Sequence, residues 1–192
     1  MSKAVMLSIR PKWCEKIVSG KKTVEVRKTR PKMETPFKCY IYCTMDHPYI
    51  SVFCKELDKL NYRTNTVGRC NGKVIGEFTC DRIYELETNS PGSSYYVKGE
   101  DQPTTNDVAQ QSCLTLRDMH EYLQSAKGYG WHISELKIYD TPKKLIEFNT
   151  WKKCKSCSKS GYESIACIYD ENCMIPAAIT KAPQSWCYVE EG

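Results

Sequence analysis

The stretch "SGKKTVEVRK", residues 19–28, places a glycine turn directly before a short strand that carries both signs of charge. Successive side chains of an extended strand point to opposite faces. Val24 and Val26 therefore share one face, while Glu25 and Arg27 share the other. The sequence predicts a strand with one apolar face and one face formed by opposite charges.

A short helix is predicted immediately before this strand, in "RPKWCEKIVSG" (residues 10–20). Pro11 suits the first turn of a helix, and Ile17 belongs to an apolar face with helical spacing. Gly20 suits the position just after the last helical turn. Lys22 then lies in the turn between helix and strand, where its long side chain reaches over the charged face of the strand.

Alternating apolar and polar residues predict further strands at residues 37–44, 72–86, 128–133, 136–140 and 184–190. These strands are short, and the predicted helices between them are few. This arrangement favours a mainly β fold of the α+β class over alternating βαβ units.

Two further segments complete the prediction. "LTLRDMHEYL" (residues 114–123) predicts a helix that Thr115 caps together with Asp118, with Leu116 on its buried face. Residues 88–108 are polar and rich in turn residues, and they predict a long loop.

The charge of the chain is unevenly distributed. Its 192 residues carry a net charge of +5, which permits a polyanionic partner without requiring one. Between residues 16 and 32, Glu25 is the one acidic residue, and such a basic cluster is typical of a phosphate-binding surface. The alternative is a solvated strand and loop. The basic residues of the cluster are Lys16, Lys21, Lys22, Arg27, Lys28, Arg30 and Lys32.

Gly20, Lys22, Glu25 and Arg27 follow the spacing G-x-K-x-x-E-x-R. This spacing resembles the hallmark of the ASCH domain family, a branch of the PUA-like superfamily. The stretches "GKVIGEF", "LTLRDMHEYL" and "YGWHI" follow in the order that the family shows, and the chain resembles stand-alone members from bacteria and phages. The resemblance implies a small β-barrel flanked by short helices, with a cleft lined by the motif.

The resemblance also implies a domain organisation. The ASCH/PUA-like domain takes residues 1–148, with insertions at about 45–70 and 88–108. A cysteine-rich insertion near the C-terminus follows at residues 149–176. Residues 177–192 then return to the barrel as its last strand.

Family members are thought to bind RNA or modified nucleotides, so the resemblance implies that role for a basic cleft built on the motif. A lysine, glutamate and arginine cluster is suited to holding a phosphate or a base edge, and aromatic side chains offer stacking surfaces. The alternative is a surface ion pair with little energetic consequence. The candidate ligand-binding residues are Gly20, Lys21, Lys22, Glu25, Arg27, Tyr40, Tyr42 and Trp131.

A few family members are enzymes, namely an amidohydrolase acting on N4-acetylcytidine and a proposed ribonuclease. The amidohydrolases carry threonine at the position of Glu25, and a second carboxylate at a position that falls on Ser112 here. We therefore expect binding without catalysis. If the chain is an enzyme, its candidate catalytic residues are Lys22, Glu25 and Glu77. A further alternative is a protein-interaction or anti-defence module.

The sequence also leads to an expectation about where in the cell the protein is found. No run approaches the roughly 18 apolar residues of a membrane span, and no secretory signal is recognisable at the N-terminus. We expect a cytoplasmic protein with no membrane contact, monomeric by default. The twelve cysteines are then expected to remain reduced.

Four of these cysteines follow the spacing C-x2-C-x9-C-x5-C, namely Cys154, Cys157, Cys167 and Cys173. The first pair has a spacing that wraps a tetrahedral zinc ion, and two more thiolates would complete a structural site with no open position. The alternative is free thiols or a redox-labile pair. No other cofactor is expected.

Protein purified without chelator is predicted to contain about one zinc ion per chain, because four thiolates satisfy tetrahedral zinc. Elemental analysis by mass spectrometry measures this. The Cys154→Ser/Cys157→Ser double variant should lose the zinc, whereas Cys187→Ser, outside the cluster, should retain it. Zinc-free wild-type protein would refute the metal site.

Overall fold

The structure is a computed structural model that describes residues 3–47, 70–89, 93–124, 127–153 and 174–190. Eleven strands, three α-helices and one 3₁₀ helix are found in these residues. In chain order they are β1 (Lys3–Ile9), α1 (Pro11–Val18), β2 (Val24–Arg27), β3 (Phe37–Cys43), β4 (Lys73–Cys80), β5 (Ile83–Glu87), β6 (Tyr96–Val97), α2 (Thr105–Ser112), α3 (Leu116–Leu123), β7 (Lys127–His132), β8 (Ser134–Lys144), the 3₁₀ helix (Leu145–Glu147), β9 (Asn149–Lys153), β10 (Met174–Ala178) and β11 (Trp186–Glu190).

The described strands form two sheets and one ribbon. The larger sheet has the order β11-β1-β3-β4-β8, and the smaller sheet has the order β2-β7-β5-β6. Strands β9 and β10 pair with each other as an antiparallel ribbon. Strand β1 runs parallel to β3 and antiparallel to β11, so the C-terminal strand closes one side of the larger sheet.

The mainly β fold with short helices is confirmed, but the described strands do not form the closed barrel that was expected. The chain leaves the smaller sheet after β7 and enters the larger sheet at β8. At this corner the backbone N–H of Ile133 donates to the carbonyl of Thr23, which continues the register of the β2–β7 pair by one residue. The chain then pairs with β4 from Ser134 onward, and the described strands belong to two separate sheets.

Apolar residues pack in three clusters that follow this architecture. The first cluster fills the space between α1 and the larger sheet and contains the fully buried Trp131, whose ring contacts Phe37 and Trp186. The second cluster joins Val24 and Val26 of β2 to α2 and α3. The predicted apolar face of the motif strand is thus confirmed.

Helices α1 and α3 begin where the sequence predicted them. Pro11 occupies the first turn of α1, and Gly20 follows its end with a φ of 71°. Thr115 and Asp118 form the predicted capping box of α3. Leu116 was expected to be buried, but 48% of it is exposed because it lies on the outer face of this short helix.

The prediction of an uninterrupted loop at residues 88–108 is wrong. Strand β6 lies within this range, and α2 begins at Thr105. The side chain of Thr104 accepts from the backbone of Asp107, whose carboxylate accepts from the backbone of Thr104 in return. The sequence pattern of a threonine followed three residues later by an aspartate predicts this capping box.

Two predicted insertions fall largely outside the described residues. These are most of the segment at 45–70 and residues 154–173 of the cysteine-rich segment. No helix within the described ranges has the length and hydropathy needed to cross a membrane.

The Thr104→Ala variant is predicted to unfold with a free energy lower by about 1 kcal/mol, since it removes the cap of α2. Hydrogen bonds from Thr104 lower the pKa of Asp107. A lowered folded-state pKa adds stability that is present above about pH 4 and is lost as the pH falls through that pKa. The difference in unfolding free energy between the wild type and Thr104→Ala should therefore become smaller below about pH 4.

Urea unfolding at pH 7 and pH 3 measures both effects. Gln110→Ala is the matched control, because Gln110 is exposed on the same helix and takes no part in its capping box. Equal losses in the two variants would contradict the role of the cap.

Candidate functional site

A cleft of about 550 Å³ opens beside the charged face of β2. Its walls come from the start of α1, from α3 and the turn before it, and from the segment that leads into β11. The lining residues are Ser8, Ile9, Arg10, Lys12, Trp13, Lys22, Glu25, Val26, Arg27, Thr44, Asp46, Leu114, Asp118, Tyr122, Pro183 and Gln184.

Three charged side chains of the motif converge at the floor of this cleft. Glu25 Oε2 lies 3.1 Å from Lys22 Nζ, and Glu25 Oε1 lies 3.0 Å from Arg27 Nη2. Their side chains are only 2%, 8% and 7% exposed for Lys22, Glu25 and Arg27 respectively. The alternative of a solvated surface ion pair therefore does not hold. We call these three residues the ion trio.

Helix α2 fixes the lysine of the ion trio. Lys22 Nζ donates to the backbone carbonyl of Ser112 at a distance of 2.8 Å. Ser112 is the last residue of α2, so this contact also places a cation at the negative end of the helix dipole. An ammonium group has three N–H donors. Lys22 donates one N–H to Ser112, and its contact with Glu25 is an ion pair without an aligned hydrogen bond, so Lys22 retains donor capacity for a ligand.

The arginine of the ion trio is fixed from two other directions. Arg27 Nη2 donates to the carbonyl of Ser8 at 2.7 Å, and Arg27 Nη1 lies 3.3 Å from the hydroxyl of Ser185. These contacts tie β2 to the end of β1 and to the segment before β11. The guanidinium group is therefore held rigidly at one side of the floor.

The carboxylate of Glu25 is incompletely satisfied. Its Oε2 atom is buried and is in ion-pair contact with Lys22, but it accepts no aligned hydrogen bond from the described residues. Most buried polar side-chain atoms have a hydrogen-bond partner, so this oxygen requires an explanation. A ligand N–H group would supply the missing donor.

Two aromatic side chains that the sequence did not single out line the cleft. Trp13 projects from α1, with its ring centroid 5.2 Å from Lys22 Nζ. Tyr122 projects from α3, and burial raises the pKa of its hydroxyl group, although the nearby charge of Arg27 opposes this shift. A signal for Tyr122 was present, since Asp118 and Tyr122 lie four residues apart and therefore on one face of α3.

The predicted stacking residues lie elsewhere. Tyr40 and Tyr42 are buried in the third apolar cluster, packed around Phe148, and Trp131 is fully buried in the first cluster. None of the three lines the cleft. Alternation along β3 places both tyrosines on the face of the larger sheet that is opposite the first cluster.

Gly20 and Lys21 do not line the cleft either. Both are exposed in the turn between α1 and β2. Gly20 adopts the left-handed backbone conformation that lets the chain reverse there, so its contribution is to the path of the chain. The carbonyl of Lys21 accepts a weak hydrogen bond from the thiol of Cys113, which also holds the turn against the end of α2.

Glu77 is also remote from the cleft. It lies opposite Tyr40 in the β3–β4 ladder, accepts a hydrogen bond from the hydroxyl of Tyr139, and pairs with Lys38 at 3.9 Å. The second carboxylate that a hydrolase would need therefore does not come from this residue. Asp118 lines the cleft, but its carboxylate is engaged at the cap of α3, where hydrogen bonds from Thr115 lower its pKa.

The cleft is less basic than the sequence suggested. Of the seven basic residues between positions 16 and 32, only Lys22 and Arg27 line it. With Arg10 and Lys12 the lining has four cations, and with Glu25, Asp46 and Asp118 it has three anions, a difference of 4 − 3 = +1. Of the other basic residues, Lys28 lies next to the cleft, with its ammonium group 5.6 Å from the ring centroid of the lining residue Tyr122.

The predicted zinc ligands Cys154, Cys157, Cys167 and Cys173 lie outside the described residues. Within the ranges that the structure does describe, no three histidine, cysteine, aspartate or glutamate side chains are grouped to hold a metal ion.

Comparison with known proteins agrees with this geometry. A domain model of the ASCH family matches residues 7–59, a range that includes the whole ion trio. This part of the chain is therefore similar to ASCH domains. A search of curated proteins finds no match.

A solved structure of an ASCH protein shares the fold. The crystal structure of a tyrosine-to-phenylalanine mutant of the ASCH protein from Zymomonas mobilis superposes with a TM-score of 0.50 at 17% sequence identity, covering 99% of this chain and 92% of that chain. Another crystal structure of ASCH from the same organism gives a TM-score of 0.47 at 19% identity, covering 74% and 73% of the two chains. At such identities the likeness concerns the fold alone.

The Glu25→Gln variant is predicted to lose about 3–5 kcal/mol of unfolding free energy, because it leaves two buried cations without a compensating charge. Urea unfolding measures the loss. Glu77→Gln is the matched control, since its partner Lys38 is farther away and more exposed, and it should lose less than about 1 kcal/mol. Equal stability of the two variants would show that the ion trio is not a structural centre.

Proposed function

We propose that the cleft binds a nucleotide of single-stranded RNA or a modified nucleotide, with the edge of the base at Lys22 and Glu25. This proposal rests on one observation. At the buried floor of the cleft, Lys22 keeps donor capacity and Glu25 Oε2 lacks a hydrogen-bond donor. Nucleobase edges present donors and acceptors side by side, and a carboxylate is a suitable acceptor for an exocyclic amine.

The walls of the cleft support a planar ligand. Trp13 and Tyr122 each offer an aromatic surface in the cleft, and a stacked base gains about 1–3 kcal/mol from such a surface. The cleft volume of about 550 Å³ lies within the range of roughly 300–1,000 Å³ for small-molecule sites.

The charges favour a base over a phosphate at the floor. Glu25 would repel a phosphate, and Arg27 already donates to Ser8 and Ser185. The exposed side chains of Arg10 and Lys12 lie at the rim, where a phosphate remains hydrated. In this arrangement the base enters the cleft while the backbone of the nucleic acid stays outside.

Catalysis receives less support than binding. The hydrolase alternative depends on a second carboxylate beside Lys22 and Glu25, and Glu77 does not reach the cleft. The cleft retains the features of a recognition site, namely fixed donors, a fixed acceptor and stacking walls.

The Tyr122→Ala variant is predicted to bind nucleosides and short single-stranded RNA roughly tenfold or more weakly, through loss of a stacking surface. Isothermal titration calorimetry with the four nucleosides, N4-acetylcytidine and an RNA tetramer measures this loss. Tyr96→Ala is the matched control, because Tyr96 and Tyr122 are each 41% exposed and only Tyr122 lines the cleft.

Affinity for the control variant should equal that of the wild type. The proposal fails if the wild type binds none of these ligands, or if the two tyrosine variants lose affinity equally.

A further inference from the structure

A second cavity of about 500 Å³ lies on the other side of α3 from the cleft. It is enclosed by the segment before β6, the first turn of α2 and the outer face of α3, and we call it the α2–α3 pocket. Its lining residues are Ser93, Ser94, Tyr95, Thr104, Thr105, Asn106, Leu116, Arg117, Met119 and His120.

The α2–α3 pocket combines apolar walls with exposed polar side chains. Tyr95 and His120 meet edge to face at 6.0 Å, and Leu116 leaves an apolar surface 48% exposed beside them. The side chains of Asn106 and Ser94 make no hydrogen bond within the described part of the chain. An apolar wall beside a side-chain amide suits a planar heteroaromatic ring with donors and acceptors at its edge.

The charged side chains around the α2–α3 pocket further limit the kind of ligand that it can bind. Among the residues that the structure describes, no acidic side chain lines the α2–α3 pocket, whereas Arg117 and His120 do. Arg117 Nε is 2.8 Å from Glu121 Oε1, so the exposed surface of α3 at this point is a neutral pair rather than a repulsive carboxylate. The surroundings therefore tolerate a ligand that carries phosphate groups.

Helix α3 is the common wall of both cavities. Leu114, Asp118 and Tyr122 line the cleft, while Leu116 and His120 line the α2–α3 pocket. A helix with its side chains is about 10–12 Å across, so the two cavities are separated by about that distance. A short single strand that crosses α3 is able to present one base to each cavity.

We propose that the α2–α3 pocket binds a second base of the same single-stranded nucleic acid whose first base occupies the cleft. This inference rests on the proposed function of the cleft and adds to it the kind of partner. The partner is a strand of several nucleotides rather than a free mononucleotide. Arg117 is exposed where it lines the α2–α3 pocket, and a phosphate that contacts it would compete with its ion pair to Glu121.

The test is the dependence of affinity on strand length, measured by isothermal titration calorimetry with a nucleoside and with RNA oligomers of two, three and four nucleotides. Two linked sites bind more tightly than either alone, so the tetramer should bind at least about tenfold more tightly than the nucleoside. The Asn106→Ala/His120→Ala double variant should lose this gain and keep the nucleoside affinity. Gln110→Ala, exposed on α2 outside the pocket, should behave as wild type.

A second variant, Ser94→Trp, fills the pocket with a large side chain instead of removing its polar groups. It should also abolish the increase in affinity from nucleoside to tetramer. Nucleoside binding without a length-dependent gain would overturn the two-base proposal and leave the cleft as a mononucleotide site. A gain that survives in both pocket variants would overturn it as well. Failure of both the nucleoside and the oligomers to bind would instead overturn the proposed function of the cleft.

Discussion

The carboxylate of Glu25, buried between the cations of Lys22 and Arg27, is the interaction on which the rest of the structure depends. Each cation of the ion trio is held by backbone from a different part of the chain. Lys22 reaches the end of α2 at Ser112, and Arg27 reaches Ser8 at the end of β1. The trio thereby fixes where the smaller sheet, α2 and the larger sheet meet.

Joining these elements through three buried charges carries a large desolvation free energy. Removing ions from water costs several kcal/mol each, and an apolar cluster of similar volume often stabilises a protein as well or better. The helix dipole at Ser112 and the carbonyl of Ser8 offset part of this cost. The proposed recognition of a ligand would account for the unsatisfied acceptor on Glu25, and an apolar floor could not provide such an acceptor.

Sequence reasoning succeeded where the signal is local. Alternation in β2 placed Glu25 and Arg27 together, and threonine and aspartate three apart marked the start of α3. It failed where the answer depends on tertiary contacts. Nothing in β3 alone tells that both of its faces pack in apolar clusters away from the cleft, so Tyr40 and Tyr42 were misplaced. Tyr122 lines the cleft because of where α3 packs. The capping box of α2 could have been recognised from the sequence, but the many turn residues around it favoured a loop prediction.

The central claim is that a nucleobase enters the cleft beside the ion trio, and the indole N–H signals of the four tryptophans test it most directly. They are assigned by single Trp→Phe substitutions and followed by ¹H–¹⁵N NMR during titration with a nucleoside. The account predicts that the signal of Trp13 moves in a saturable way while that of Trp151, on the β9–β10 ribbon, stays fixed. A stationary Trp13 signal under conditions where binding occurs would contradict it.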